Sequence, residues 1–220
     1  MPIMVEIRHR LSPATPKRYE DFVVRYGDTV IPLMEECGWD VLGGWMWATG
    51  SLFSDLVLAQ FESMAAYEEA ATRLASHAGP GGLDRLTDLD TQIQQQVDLA
   101  TTSPFATSER LEAAFDRSAG ASRTFTYARL KTTPENVDRV TRLVEQTLTH
   151  VPPTTQLITS YASLTGSRGE IVDLWARDEG VPNFGFQTGS PPDSIYEELY
   201  SLVEEETIHY MNALPYSRLR

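Results

Sequence analysis

The chain has 220 residues, 41% hydrophobic and 22% charged, an ordinary mix for a globular protein of one large or two small domains. Eighteen Lys and Arg against 31 Asp and Glu give a formal charge of -13, which repels phosphates and argues against nucleic acid or an anionic membrane as partner. A single cysteine, Cys37, excludes an internal disulfide and is read as a small buried hydrophobe at a helix end. The opening "MPIMVEIRHRL" lacks the pattern of a signal peptide, and no apolar run reaches the ~20 residues of a membrane span. A cytoplasmic protein is therefore expected.

In chain order, "MVEIRHRL" alternates Val5, Ile7 and Leu11 with Glu6, Arg8 and Arg10, the period of a half-buried strand. Thr15 and Pro16 then suit the start of a helix, and Tyr19, Phe22, Val23, Tyr26, Val30 and Leu33 recur at helical spacing. Pro32 is expected to kink that helix and Gly38 to end it. "VLGGWMWATG" and "DLVLAQFES" form a hairpin, "MAAYEEAATRLAS" a second helix, and a Gly-Pro-Gly-Gly loop leads through a short helical piece to the strand "QIQQQVDLATTSPF". The order is β-α-β-β-α-β, a ferredoxin-like unit.

The order then repeats. "RTFTYARLK" is a strand, "TTPENVDRVTRLVEQTLTH" a helix, "TQLITSYASLTG" and "EIVDLWARD" a hairpin, "SPPDSIYEELYSLVEEE" a helix and "TIHYMNALPYS" a strand. Gly50 matches Gly166, and Pro104 matches Pro215. The division is residues 1–107 for the first repeat, 108–122 for a connector with a short helix, and 123–220 for the second. The fold class is α+β. A single such unit leaves one sheet face bare, so the two antiparallel sheets are expected to pack face to face as a pseudo-dimeric α+β barrel enclosing a cavity. Pairing between chains, and hence a homo-oligomer, stays open.

"VEIRHRL", "PLMEECGWDVLGGWMWATG" and "LVLAQFES" resemble the NIPSNAP family. The resemblance rests on Glu6 and Arg8, Pro32, Gly43 with Trp45, Gly50, and Phe61-Glu62-Ser63, and covers most of residues 3–105. The second half is similar more weakly, best in "IVDLWARDE". The resemblance implies the dimeric α+β barrel superfamily, which includes cofactor-independent monooxygenases, cyclases, isomerases, dehydratases, haem enzymes and members without known chemistry. Fold alone does not choose among them.

Strand parity sorts the candidate residues. If Val5 and Ile7 face the helices, Glu6, Arg8 and Arg10 face the other way, either as anion-stabilising groups or as an ion-pair network. Their matches in the second repeat are read as Phe125, Tyr127 and Arg129. Asp173 stands where the first repeat has Val57, on one strand face with Trp175 and Arg177. Against apolar walls its pKa would rise and it could serve as a general base; the alternative is an ion pair with Arg177 or another arginine. His209 is a strand histidine that could meet Asp173 as a proton shuttle or be a hydrogen-bonded structural residue. His9 shares the parity of the apolar residues and is less promising. Trp45, Trp47, Tyr127, Tyr161 and Trp175 line a pocket for a planar ligand, or are core.

No dinucleotide fingerprint, P-loop, CxxC, HExxH or GxSxG motif occurs, and four scattered histidines do not compose a metal centre, so no cofactor and no metal are expected. The leading expectation is a cofactor-independent enzyme of secondary metabolism. It would act on a hydrophobic, aromatic or polyketide-like molecule by proton transfer: cyclisation, isomerisation, dehydration or monooxygenation. Asp173, His209, Arg8 and Arg10 would be catalytic, with Glu6, Arg129 and the aromatic residues binding substrate. The alternative is a non-catalytic binding or scaffold protein.

Overall fold

The computed structural model describes residues 2–50, 52–79, 92–118, 123–178 and 193–219. The residues after Gly79 in the Gly-Pro-Gly-Gly loop, the short helical piece that follows, and the Ser-Gly-Ala end of the connector lie outside these. Two compact units divide the chain, Met1–Leu99 with Asn212–Leu219 (unit 1) and Ala100–Met211 (unit 2). Among the described residues no helix is long and apolar enough to cross a membrane.

Unit 1 opens with β1 (Ile3–Ser12) and the helix α1 (Pro16–Arg25). The Thr15 hydroxyl accepts from the Arg18 N–H at 3.3 Å, capping the helix just before Pro16. The break expected at Pro32 takes a particular form. The backbone widens into a π-helical turn over Tyr26–Val30, and regular helix resumes as α2 (Ile31–Glu36). Proline has no N–H to donate and crowds the preceding turn, and a widened turn absorbs both effects. β2 (Asp40–Trp47), β3 (Ser54–Phe61), α3 (Met64–Ala78) and β4 (Gln92–Thr102, its last three residues in unit 2) complete the sequence.

β3 lies between β1 and β2, antiparallel to both. As parity predicts, Ile3, Val5, Ile7 and Leu11 turn to the helices and pack with Phe22, Tyr26, Val30 and Met34. The Gly-Gly pair of β2 has a packing reason. The C-terminal segment returns to it, with Leu214 N–H donating to the Gly44 carbonyl at 2.8 Å, and a Cβ on Gly44 would sit 2.5 Å from the Tyr216 ring.

Unit 2 repeats the order. It comprises α4 (Ser108–Ser118), then β5 (Arg123–Thr132), a 3-10 turn (Pro134–Asn136), α5 (Val137–Thr147), β6 (Thr155–Ser163), β7 (Glu170–Asp178), α6 (Asp193–Leu202) and β8 (Val203–Ala213, its end in unit 1). The strands run β8-β5-β7-β6, and Ala100–Thr102 of β4 pair with β6. Leu130, Leu157 and Ile171 pack beneath Val140, Leu143 and Val144 of α5 and Leu199 of α6. The last helix is shorter than its sequence suggests. It stops at Leu202, and Glu205 and Glu206 enter β8 opposite Lys131 and Leu130. A Glu-Lys cross-strand pair supports strand pairing there, which outweighs the helix preference of the glutamates.

The register fixes how the repeats correspond. A bulge at Leu42 in β2, between Val41↔Ala59 and Gly43↔Leu58, recurs at Ile158 in β6, between Leu157↔Trp175 and Thr159↔Leu174. Ile7 pairs with Val57, and Ala128 pairs with Asp173. Arg8 therefore corresponds to Arg129 and Glu6 to Tyr127. The alignment of β5 drawn from sequence is two residues out, which leaves each side chain on its expected face but shifts its partner.

Gly169 begins the return strand of the second hairpin at φ +83°, and a Cβ there would lie 2.0 Å from the Thr132 carbonyl oxygen. Gly169→Ala is expected to cost on the order of 1–3 kcal/mol, because neither the left-handed backbone nor the strand end can relax without losing the Thr132–Gly169 hydrogen bond. Urea midpoints check it; an unchanged midpoint contradicts it.

Candidate active site

Pairing sorts the unit 2 side chains onto two faces. The face beneath α5 and α6 carries Thr126, Ala128 and Leu130 of β5, paired with Trp175, Asp173 and Ile171 of β7. The second face carries Phe125, Tyr127 and Arg129, with Ala176, Leu174 and Val172 beside them. Across β8, Tyr127 pairs with His209 and Ala128 with Ile208; across β6, Ser160 pairs with Asp173 and Tyr161 with Val172. Asp173 and His209 therefore lie on opposite faces of one sheet and form no proton shuttle. β7 is apolar on both sides, so parity within it alone could not say which face was which.

Asp173 is buried at 3% exposure, shares its face with Trp175 and Arg177 as expected, and is hydrogen-bonded to Ser160. The Ser160 hydroxyl also meets that of Ser103 at 2.8 Å, and Asp173 Oδ1 has no partner among the described residues. Burial pushes its pKa up to about 7, aided by the charge of Glu206 and opposed by the Ser160 hydrogen bond. Between the ordinary aspartate range and pH 7 the unfolded chain has released a proton that the folded chain still holds. Stability therefore falls as pH rises through that window, by on the order of a few kcal/mol. Asp173→Asn is expected to flatten this slope and to be at least as stable as the parent at about pH 8. Urea titrations of both proteins across the window test it, and parallel profiles would refute it.

The second face of unit 2 assembles Tyr127, Arg129, Tyr161 and His209. The Tyr127 and His209 rings stand 6.5 Å apart, tilted by 49°. Arg129, two residues along β5, donates from Nη2 to Glu170 Oε2 at 2.6 Å. Glu170 is buried, whereas the Arg129 side chain is 40% exposed, so a fixed guanidinium is presented at the surface of this face. An imidazole that can take a proton, a phenol beside it and a cation for developing negative charge are the parts of a proton-transfer site.

In unit 1, Glu6, Arg8 and Arg10 share the face opposite the helices with Leu58, Leu56 and Ser54 as their partners. Trp45 pairs with Leu56 and is fully buried, and Trp47 has the same parity. Arg8 Nε is hydrogen-bonded to the buried Glu6, and its Nη2 lies 3.4 Å from Asp98, so the charges form a network; Arg10 is exposed.

Beneath the unit 1 helices is a pair that sequence reasoning passed over. His9 Nδ1 and Asp55 Oδ1 are 2.7 Å apart with both side chains fully buried. The Tyr19 hydroxyl donates to Asp55 Oδ2 at 3.3 Å, and Phe22 and Tyr26 meet the imidazole edge-on. Burial, and then the Asp55 charge, hold the Tyr19 and Tyr26 hydroxyls far above the usual phenol range. The available signal was Asp55 inside the apolar strand "DLVLAQF", opposite the one histidine with apolar parity. Among the described residues no group of three His, Cys, Asp or Glu side chains is placed to hold a metal ion.

Residues 8–108 match the model of the NIPSNAP family. No curated protein matches the chain. Among solved structures, one described as a "putative monooxygenase" from Lactobacillus acidophilus NCFM is similar at 12% identity and TM-score 0.59, over 96% of this chain and 93% of that one. One of the same description from Fusobacterium nucleatum has 8% identity and TM-score 0.58, over 97% and 92%. The chlorite dismutase of Candidatus Nitrospira defluvii, in complex with imidazole, has 11% identity and TM-score 0.51, over 99% and 93%. At these identities the likeness establishes the fold, that of the dimeric α+β barrel proteins with two ferredoxin-like repeats. Residues 8–108 thus resemble the NIPSNAP family, in a chain that has the dimeric α+β barrel fold along nearly its whole length.

Proposed function

We propose that the chain is a small-molecule enzyme working by proton transfer on the second face of the unit 2 sheet. The observation that carries this is the His209–Tyr127 ring pair beside the Arg129–Glu170 pair on one face. The names of the similar structures, monooxygenase and chlorite dismutase, support an enzymatic use of this fold. His209 takes a proton from a carbon acid and Arg129 stabilises the resulting enolate oxygen, with Tyr127 and Tyr161 bordering a hydrophobic, aromatic or polyketide-like substrate. Return of the proton to another carbon completes an isomerisation. Attack of the carbanion on a second carbonyl, with the proton returned to the new alkoxide, completes a cyclisation, and dehydration, or oxygenation by molecular oxygen, begins with the same proton removal.

Exchange of acidic C–H protons in deuterated water, followed by NMR over a panel of aryl ketones and phenolic diketones, tests the first step without knowledge of the product. The wild type is expected to accelerate exchange for at least one compound, and His209→Gln to abolish the acceleration. No acceleration across the panel, or equal acceleration by the variant, would sink the proposal. A second reading, binding without turnover, is favoured by unit 1, where Trp45 is fully buried and Arg8 pairs with both Glu6 and Asp98.

A further inference from the structure

Arg123 opens β5 and belongs to the same face as Phe125 and Tyr127. Its side chain is fully buried, yet Nε, Nη1 and Nη2 all lack a hydrogen-bond partner among the described residues. Among the described residues the nearest carboxylate oxygen, Asp178 Oδ1, is 3.7 Å from Nε. Asp178 accepts from Arg117 Nη2 at 2.5 Å through Oδ2, while its Oδ1, beside Arg123, makes no hydrogen bond among the described residues. Burial, and then the neighbouring Arg117, lowers the Arg123 pKa against the opposing pull of Asp178. A guanidinium stays charged in any case. Five donors withdrawn from water without acceptors are costly, and such a group in a folded protein calls for an explanation.

An anionic ligand supplies one. A carboxylate or phosphate offers oxygens in the spacing that the guanidinium fork matches. Arg117 and Asp178 are each about one-third exposed, so the edge of the corner meets solvent although Arg123 itself is buried, and two arginines against one aspartate leave it net positive. That sign is local, in a chain whose formal charge is -13. Four residues of extended strand, roughly 13 Å, separate Arg123 from Tyr127 on this face.

We propose that Arg123, helped by Arg117, receives the anionic end of the substrate, so that the substrate class is a hydrophobic molecule carrying a carboxylate or phosphate. Phe125 and Tyr127 on this face are fully buried, so the bound molecule parts them to bring its reacting part against Tyr127 and His209. This rests on the reading of the second face as the substrate site, but its test is a binding measurement independent of turnover. Calorimetric titration compares decanoate, decyl phosphate and 1-decanol, which share a chain of that order of length. The wild type is expected to bind the anions at least about 10-fold tighter than decanol, and Arg123→Met to lose about 10- to 100-fold toward the anions only. Arg123→Lys should fall between, and the tighter anion identifies the head group. Unchanged anion affinity in Arg123→Met, or wild-type preference for decanol, overturns the proposal. So does a melting temperature lowered equally by Arg123→Met and Asp178→Asn, which would make the pair a structural ion pair. Failure of the proton-exchange experiment with anion binding intact would instead count against the catalytic reading alone.

Discussion

Asp55→Ala is expected to destabilise the protein by about 3–5 kcal/mol, read from urea denaturation. The aspartate is fully buried and holds both His9 Nδ1 and the Tyr19 hydroxyl. Truncation leaves an imidazole and a phenol without acceptors in an apolar layer, and each such loss carries a desolvation penalty. The second repeat shows how the same place is filled without charge. His9↔Asp55 corresponds in register to Leu130↔Ile171, two apolar residues in the equivalent core. The double variant His9→Leu with Asp55→Ile is therefore expected to recover most of the loss, since replacing both partners removes the unmet groups together. A single variant near wild-type stability, or a double variant as unstable as the single, would show that the pair is not the anchor described here.

His209→Gln is expected to slow the proton-transfer step by about 10²- to 10⁴-fold, the range for loss of a positioned acid or base. Glutamine keeps the polarity and much of the size of the side chain but cannot cycle a proton near neutral pH. The effect belongs in kcat with KM little changed, because the ring meets Tyr127 at the proposed reacting end and the substitution leaves the rest of the face intact. A change confined to KM would make His209 a binding residue.

Much of the fold was legible because the chain states it twice. The Thr-Pro helix starts, the Gly-turn hairpins and the alternation of β1 gave the β-α-β-β-α-β order and placed Val5 and Ile7 under the helices. The site was less legible, for a physical reason. β7 reads "EIVDLWARD", apolar on both faces, so the side of Asp173 is decided by the partner strands, and Leu130 and Ile171 settle it beneath α5. β5 misleads in the opposite sense, with its large aromatics, Phe125 and Tyr127, on the face away from those helices and Thr126 and Ala128 on the near one. A pattern of residue size therefore gives the wrong partners even where parity gives the right face. Arg123 and Glu170 stand at strand ends, where periodicity carries no signal.

The proposed chemistry lies on the second face of unit 2 rather than at the buried carboxylate beneath its helices. Exchange rates of His209→Gln and Asp173→Asn, measured side by side on one carbon acid that the wild type turns over, separate the two most directly. The expected result is a loss of about 10²-fold or more in His209→Gln, with Asp173→Asn close to wild type. Wild-type rates in His209→Gln together with collapse in Asp173→Asn would contradict the assignment and move the site to the other side of the sheet.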